Sequence, residues 1–139
     1  MNSSQLGGIA RARSLSADER SRIARKAARA RWADKPGILS REEIKRQVVK
    51  MLEDRSEAVA YLFGSYARGE ARVSSDVDLL VVEKKMAGNR YAETALLRHR
   101  LTFDRAVDLI VVDEENFNTW KNSYGTVQHV AFSEGVRLV

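Results

Sequence analysis

Two stretches of the chain repeat one pattern, an Asp followed by unbroken apolar residues and then an acid. Val77-Asp78-Leu79-Leu80-Val81-Val82-Glu83 and Val107-Asp108-Leu109-Ile110-Val111-Val112-Asp113 match position by position apart from conservative exchanges. Short runs that are apolar at both odd and even positions predict strands covered on both faces. A third run, Val59 to Phe63, has the same character and stops at Gly64-Ser65. Between the two matching strands, Arg90 to about Leu101 reads as a helix with Ala95, Leu96, Leu97 and Leu101 apolar, which makes a β–α–β unit.

Towards the N-terminus the period changes to that of helices. Ser16-Ala17-Asp18-Glu19 and Ser40-Arg41-Glu42-Glu43 both have the capping-box spacing, in which the hydroxyl accepts from the Glu amide and the carboxylate reaches back. The first box opens a predicted helix from Ala17 to about Ala33. Its apolar side is thin, with Ile23, Ala27 and Ala30 on one line and Ala24, Ala28 and Trp32 on the next. Arg20, Arg22, Arg25, Lys26, Arg29 and Arg31 cover much of the remainder. The second box opens an ordinary amphipathic helix carrying Ile44, Val48 and Leu52, with Val49 and Met51 beside them. Pro36-Gly37 separates the two. The tail reads as a loop or short helix over 114–120, a helix from Thr126 to Glu134 ended by Gly135, and an edge strand over 136–139. These elements predict an α/β domain over residues 37–139, with helices packed on a small mixed sheet. A basic helical extension occupies residues 1–36.

Charge sharpens that division. Residues 1–50 hold 13 Lys/Arg against 5 Asp/Glu, whereas residues 51–139 hold 11 against 14. A basic segment beside an acidic domain suggests nucleic-acid contact, and the run over residues 11–31 is where it would fall. Aromatic interleaving there is limited to Trp32. The chain has no cysteine and two widely separated histidines, His99 and His129, which are expected to be surface and packing residues. Thiolate sites are therefore excluded, and a metal would depend on carboxylate oxygens, which suits Mg²⁺. No apolar run is long enough to span a bilayer and no signal-peptide core is present, so a cytoplasmic protein without membrane contact is expected.

Asp76 and Asp78 lie two apart at the head of a strand and so share a face. Asp108 opens the matching strand. Were the two strands neighbours, a spacing of ~4.8 Å would bring the three carboxylates together. Such a triad can hold two metal ions, one on a triphosphate and one on an attacking oxygen. Gly64 allows close backbone approach to phosphate, and Ser65 offers a hydroxyl and an amide. A short helix beginning near Tyr66 would add amide donors, and Arg68 and Arg72 are placed to neutralise a triphosphate. Tyr66 fits either a stacking or a scaffold role.

The text Phe63-Gly64-Ser65-Tyr66-Ala67-Arg68-Gly69-Glu70, followed by Ser75-Asp76-Val77-Asp78-Leu79-Leu80-Val81, resembles the signature of the DNA polymerase β-like nucleotidyltransferases. It is most similar to their smallest branch, the minimal nucleotidyltransferases that serve as antitoxins in HEPN-partnered toxin–antitoxin modules. Trp120, Gly125-Thr126-Val127 and Glu134-Gly135-Val136 resemble the end of that domain. The resemblance covers roughly residues 40–139. It implies a mixed sheet of about five strands, two Mg²⁺ ions held by Asp76, Asp78 and Asp108, and ATP as donor. It also implies transfer of AMP to a hydroxyl, in that branch a tyrosine of the partner toxin. Asp108 would accept the acceptor's proton. Larger relatives carry an added acceptor-binding domain, for which this chain has no room, so a protein partner is expected to supply that surface. The alternative is a binding module: an antitoxin that masks its partner by contact, or a regulator acting on nucleic acid through residues 1–36. The sequence leaves the oligomeric state open.

Overall fold

The computed structural model describes residues 16–32, 37–86 and 88–139. Pro36 and the first residues of the basic run over 11–31, on which parts of the sequence reading rest, lie outside them. Helix α1 (Ala17–Trp32) is followed by α2 (Arg41–Met51), β1 (Val59–Phe63), α3 (Gly64–Arg68), β2 (Val77–Glu83) and α4 (Arg90–His99). Strand β3 (Val107–Asp113), α5 (Glu114–Trp120), α6 (Val127–Glu134) and β4 (Val136–Arg137) complete the order.

Both capping boxes form, with one difference. The Ser16 amide donates to Glu19 Oε2 at 2.8 Å while the Glu19 amide donates to Ser16 Oγ at 3.1 Å. At the second box the Glu43 amide donates to Ser40 Oγ, but the Glu43 carboxylate turns to Arg46 and Gln47 instead of reaching back. A charged guanidinium one turn along is the stronger partner.

The four strands order as β3-β2-β1-β4. The β2–β3 pair is parallel with Asp78 opposite Asp108, and the crossover between them is α4. Strand β1 runs antiparallel to β2, with Phe63 opposite Asp78. The fourth strand is only two residues long, although a Leu138 amide bond to Ala60 O extends its pairing. A mixed sheet with packed helices was expected. Among the described residues the sheet has four strands, where the resemblance implies about five.

Side-chain alternation divides the core into two layers. Val77, Leu79 and Val81 of β2 join Ile44, Val48 and Met51 of α2 and Leu97 of α4 on one face. Leu80 and Val82 join Val112, Phe117 and Ala131 on the other, beneath α5 and α6. There the Phe117 ring stacks on Tyr61 at 5.4 Å and meets Phe132 edge-on at 5.9 Å. Strand β2 is covered on both faces, as its pattern predicts. Its twin β3 is not, because it lies at the sheet edge with Leu109 and Ile110 only half-buried. On α4 the apolar side also narrows to one fully buried residue, Leu97, leaving Leu96 exposed.

The end of the sheet remote from Asp78 is braced by ions. Arg55 Nε lies 2.8 Å from both Glu83 and Glu93, and Arg100 ties Asp54 to the Met51 carbonyl. Burial, with the Glu93 carboxylate beside it, pushes Glu83 up to about 7.

Candidate active site

The strand registers converge on one corner. Asp78 sits between Phe63 of β1 and Asp108 of β3, and Phe63 leads directly into Gly64 and Ser65. The even positions of β2 and β3 face the α5/α6 side, but those helices cover Leu80, Val82 and Val112 farther along the strands. Asp76 and Asp108 are exposed and Asp78 is half-buried. The carboxylates therefore form an open rim at the head of the parallel pair.

Gly64 is required here for two reasons. Its φ of +72° is left-handed, and a Cβ would stand 2.1 Å from Asp78 Oδ2. The turn and the carboxylate are thus packed with nothing between them. The backbone then makes the single turn of α3 and leaves it at Gly69, again left-handed at +71°. The Glu70 amide donates to Ser65 O at 2.9 Å, closing the turn. A second tight turn, in which the Arg72 amide donates to Ser75 Oγ at 2.8 Å, delivers the chain to Asp76.

The electrostatics follow from this crowding. Asp78 is pushed up to about 6, first by burial, then by the Asp108 and Asp76 charges and a hydrogen bond with Asp108. Arg68 pulls the other way. Its Nε also lies 3.1 Å from Glu70, at the surface. Arg72 is exposed on the same loop. The spacing predicted three carboxylates together; the structure brings Asp78 and Asp108 into contact, while Asp76 acts on Asp78 through its charge. Among the described residues no three acidic or histidine side chains are grouped so as to hold a metal ion. Two adjoining carboxylates suit Mg²⁺ nonetheless, because that ion is commonly held by one or two of them with phosphate oxygens and water filling its octahedron.

Tyr66 belongs to the scaffold. It is fully buried, and its hydroxyl accepts from Arg105 Nη1 at 2.7 Å and from the Leu39 amide at 3.4 Å. Arg105 also donates to Gly37 O at 2.9 Å, so one side chain joins the loop before β3 to the lead-in of α2 behind the Gly64 turn. Sequence reading missed Arg105, since its partners lie 39 and 68 positions away and no local pattern marks it. Of the histidines, His99 is exposed, and His129 packs half-buried with Nδ1 3.0 Å from Lys121 O.

The chain belongs to the nucleotidyltransferase-domain family, whose model matches residues 42–133. A Methanocaldococcus jannaschii protein with an inferred protein adenylyltransferase assignment is 44% identical over 45 residues. That match covers 32% of this chain and 44% of the relative, less than half its length. Among solved structures, an inferred nucleotidyltransferase from Sulfolobus solfataricus aligns at 25% identity over 68% of this chain and 74% of that one, with a TM-score of 0.49. A toxin–antitoxin structure with AMP-PNP aligns at 27% identity over 68% and 72%, with a TM-score of 0.47. A variant of the toxin–antitoxin MntA-HpeT aligns at 25% identity over 68% and 71%, with a TM-score of 0.45. The matched residues begin after α1, which stands outside the family domain. No helix among the described residues is long and apolar enough to cross a membrane.

Proposed function

We propose that this chain transfers AMP from ATP to a hydroxyl group, and that the acceptor is a tyrosine on a HEPN-type toxin partner. The observation that carries the reading is the packing of the Gly64 turn directly against Asp78 beside Asp108, which sets a phosphate-approaching backbone next to paired carboxylates. Membership of the nucleotidyltransferase family and the adenylyltransferase assignment of the M. jannaschii relative support it.

In this reading Asp78 and Asp108 would hold Mg²⁺ and Asp76 would close on it with the triphosphate, which Ser65, the Gly64 backbone, Arg68 and Arg72 would receive. Bound there, Mg²⁺ would neutralise phosphate charge and orient the α-phosphate. Asp108 accepts the proton of the acceptor hydroxyl. The acceptor oxygen bonds to the α-phosphorus as the bond to the bridging oxygen breaks, and pyrophosphate leaves. Because β3 is an edge strand and Asp108 is exposed, a partner's side chain can reach this carboxylate without displacing any element.

The test uses the full chain, a HEPN-type protein if one is encoded beside it, and ATP labelled at either the α- or the γ-phosphate. The α-label should appear on the partner and the γ-label in pyrophosphate, and chelation of divalent ions should stop both. Transfer of the γ-label to protein would make the enzyme a kinase and overturn the reading.

A further inference from the structure

We infer that α1 is a nucleic-acid-binding arm that grips the phosphate backbone through one stripe of basic residues. The stripe follows from helix register. At 3.6 residues per turn, positions 22, 25, 26 and 29 of α1 fall within an arc of about 100°, while positions 20 and 31 fall on the opposite side. Those positions are Arg22, Arg25, Lys26 and Arg29. The stripe is ~10 Å long, the axial distance over which one strand of a duplex presents about three phosphates. Three of the four residues are Arg, whose planar fork suits phosphate oxygens.

In the family domain Arg46, Arg55, Arg68, Arg100 and Arg105 each meet a carboxylate. Among the described residues of α1, Arg20 and Arg22 are exposed and form no ion pair, although Asp18 precedes Arg22 by one turn. The only acids in α1 are Asp18 and Glu19, both in its first turn, and Glu19 is committed to the Ser16 cap. The helix therefore carries six Lys/Arg against two acids. Its apolar side argues against a lipid surface. Apart from Ile23, which is 53% exposed, and Trp32 at its last position, the residues of that side at positions 17, 24, 27, 28 and 30 are alanines, and burying so little area along its length in a membrane gives small return. Since α1 precedes the residues matched to the family, the inference is independent of the proposed transfer reaction.

The experiment measures fluorescence anisotropy of a short labelled DNA duplex and a short labelled RNA with the full chain, across a salt series. Three to four phosphate contacts predict a slope of log K against log salt of about −3 to −4, roughly a hundredfold loss between 50 and 200 mM. Replacing Arg22, Arg25, Lys26 and Arg29 with Gln should weaken binding at least ~tenfold. Arg20→Gln with Arg31→Gln should change it little. A Lys-for-Arg set at 22, 25 and 29 should keep the salt slope, and circular dichroism checks that each variant keeps its helix. Tighter binding of the DNA or of the RNA identifies the source of the phosphate backbone. Absence of binding at low salt, equal loss from both faces, or stronger binding to phosphatidylserine vesicles than to either nucleic acid would overturn the inference.

Discussion

Asp78 and Asp108 stand in register across the parallel β2–β3 pair, and their carboxyls share a hydrogen bond that favours a proton on Asp78. Asp78 is raised from 3.8 to about 6. Below the lower value both folded and unfolded chains hold this proton, and nothing is lost. Between the two values the unfolded chain releases it while the folded chain retains it, so stability falls as pH rises. Above about 6 the cost is fully present. Asp78→Asn should therefore raise the melting temperature at pH 7.5 in the presence of a chelator, and should leave it unchanged near pH 3.5. The gain corresponds to about 1 kcal/mol once solvent screening is allowed for. Equal effects at the two pH values would show that the Asp78 charge is not the origin.

The same substitution separates catalysis from masking. An amide is a poor ligand for a hard cation, so Asp78→Asn and Asp76→Asn should each reduce AMP transfer by a hundredfold or more. Calorimetry should show ATP binding to the native chain that depends on Mg²⁺ and is largely lost in either variant. An antitoxin acting only by contact would still silence its partner with both residues changed. Toxicity assays on cells carrying the partner and each variant distinguish the two.

Much of this corner was legible in the sequence because its parts are local. The twin strands announce themselves by repeated text, and the alternation rule places Asp76 and Asp78 on one face without knowledge of neighbours. Pairing of β2 with β3 followed from the β–α–β pattern. What the sequence concealed depends on pairings across the fold. Nothing in Val107 to Asp113 says that β3 takes the edge while its near-copy β2 takes the centre. Tyr66 reads equally well as a stacking or a core residue until Arg105 and Leu39 are seen around its hydroxyl. Gly64 was legible as a turn that could approach phosphate. That it also vacates the space taken by the Asp78 carboxylate is a tertiary fact.

Gly64→Ala tests that close approach. The new Cβ must find room where Asp78 Oδ2 lies 2.1 Å away, and its φ of +72° is disfavoured for any L side chain. Strain of this kind typically costs about 1–3 kcal/mol. Chemical denaturation should register a loss in that range, with transfer falling further because Asp78 must swing from Asp108. A paired Gly64→Ala, Asp78→Ala protein removes the side chain that the Cβ meets but still carries the backbone strain, so relative to Asp78→Ala alone only part of the stability should return. Full recovery would place the whole cost in the carboxylate contact.

Tyr66→Phe tests the brace behind the turn. The ring is fully buried, so Phe keeps the packing and removes only the hydroxyl that accepts from Arg105 and the Leu39 amide. Arg105 retains Asp104 and the Gly37 carbonyl, whereas the half-buried Leu39 amide loses this acceptor. Leaving a donor unsatisfied costs about 1–2 kcal/mol, enough to lower the melting temperature by a few degrees. The carboxylates of the proposed site and the Gly64 turn are untouched, so KM for ATP should be unchanged well below the new melting temperature. A hydroxyl that touched nucleotide would give the opposite result, raising KM for ATP while stability did not move. Urea unfolding and steady-state kinetics on the same preparation decide between these outcomes. A raised KM with native stability would place Tyr66 in the nucleotide site instead of the scaffold.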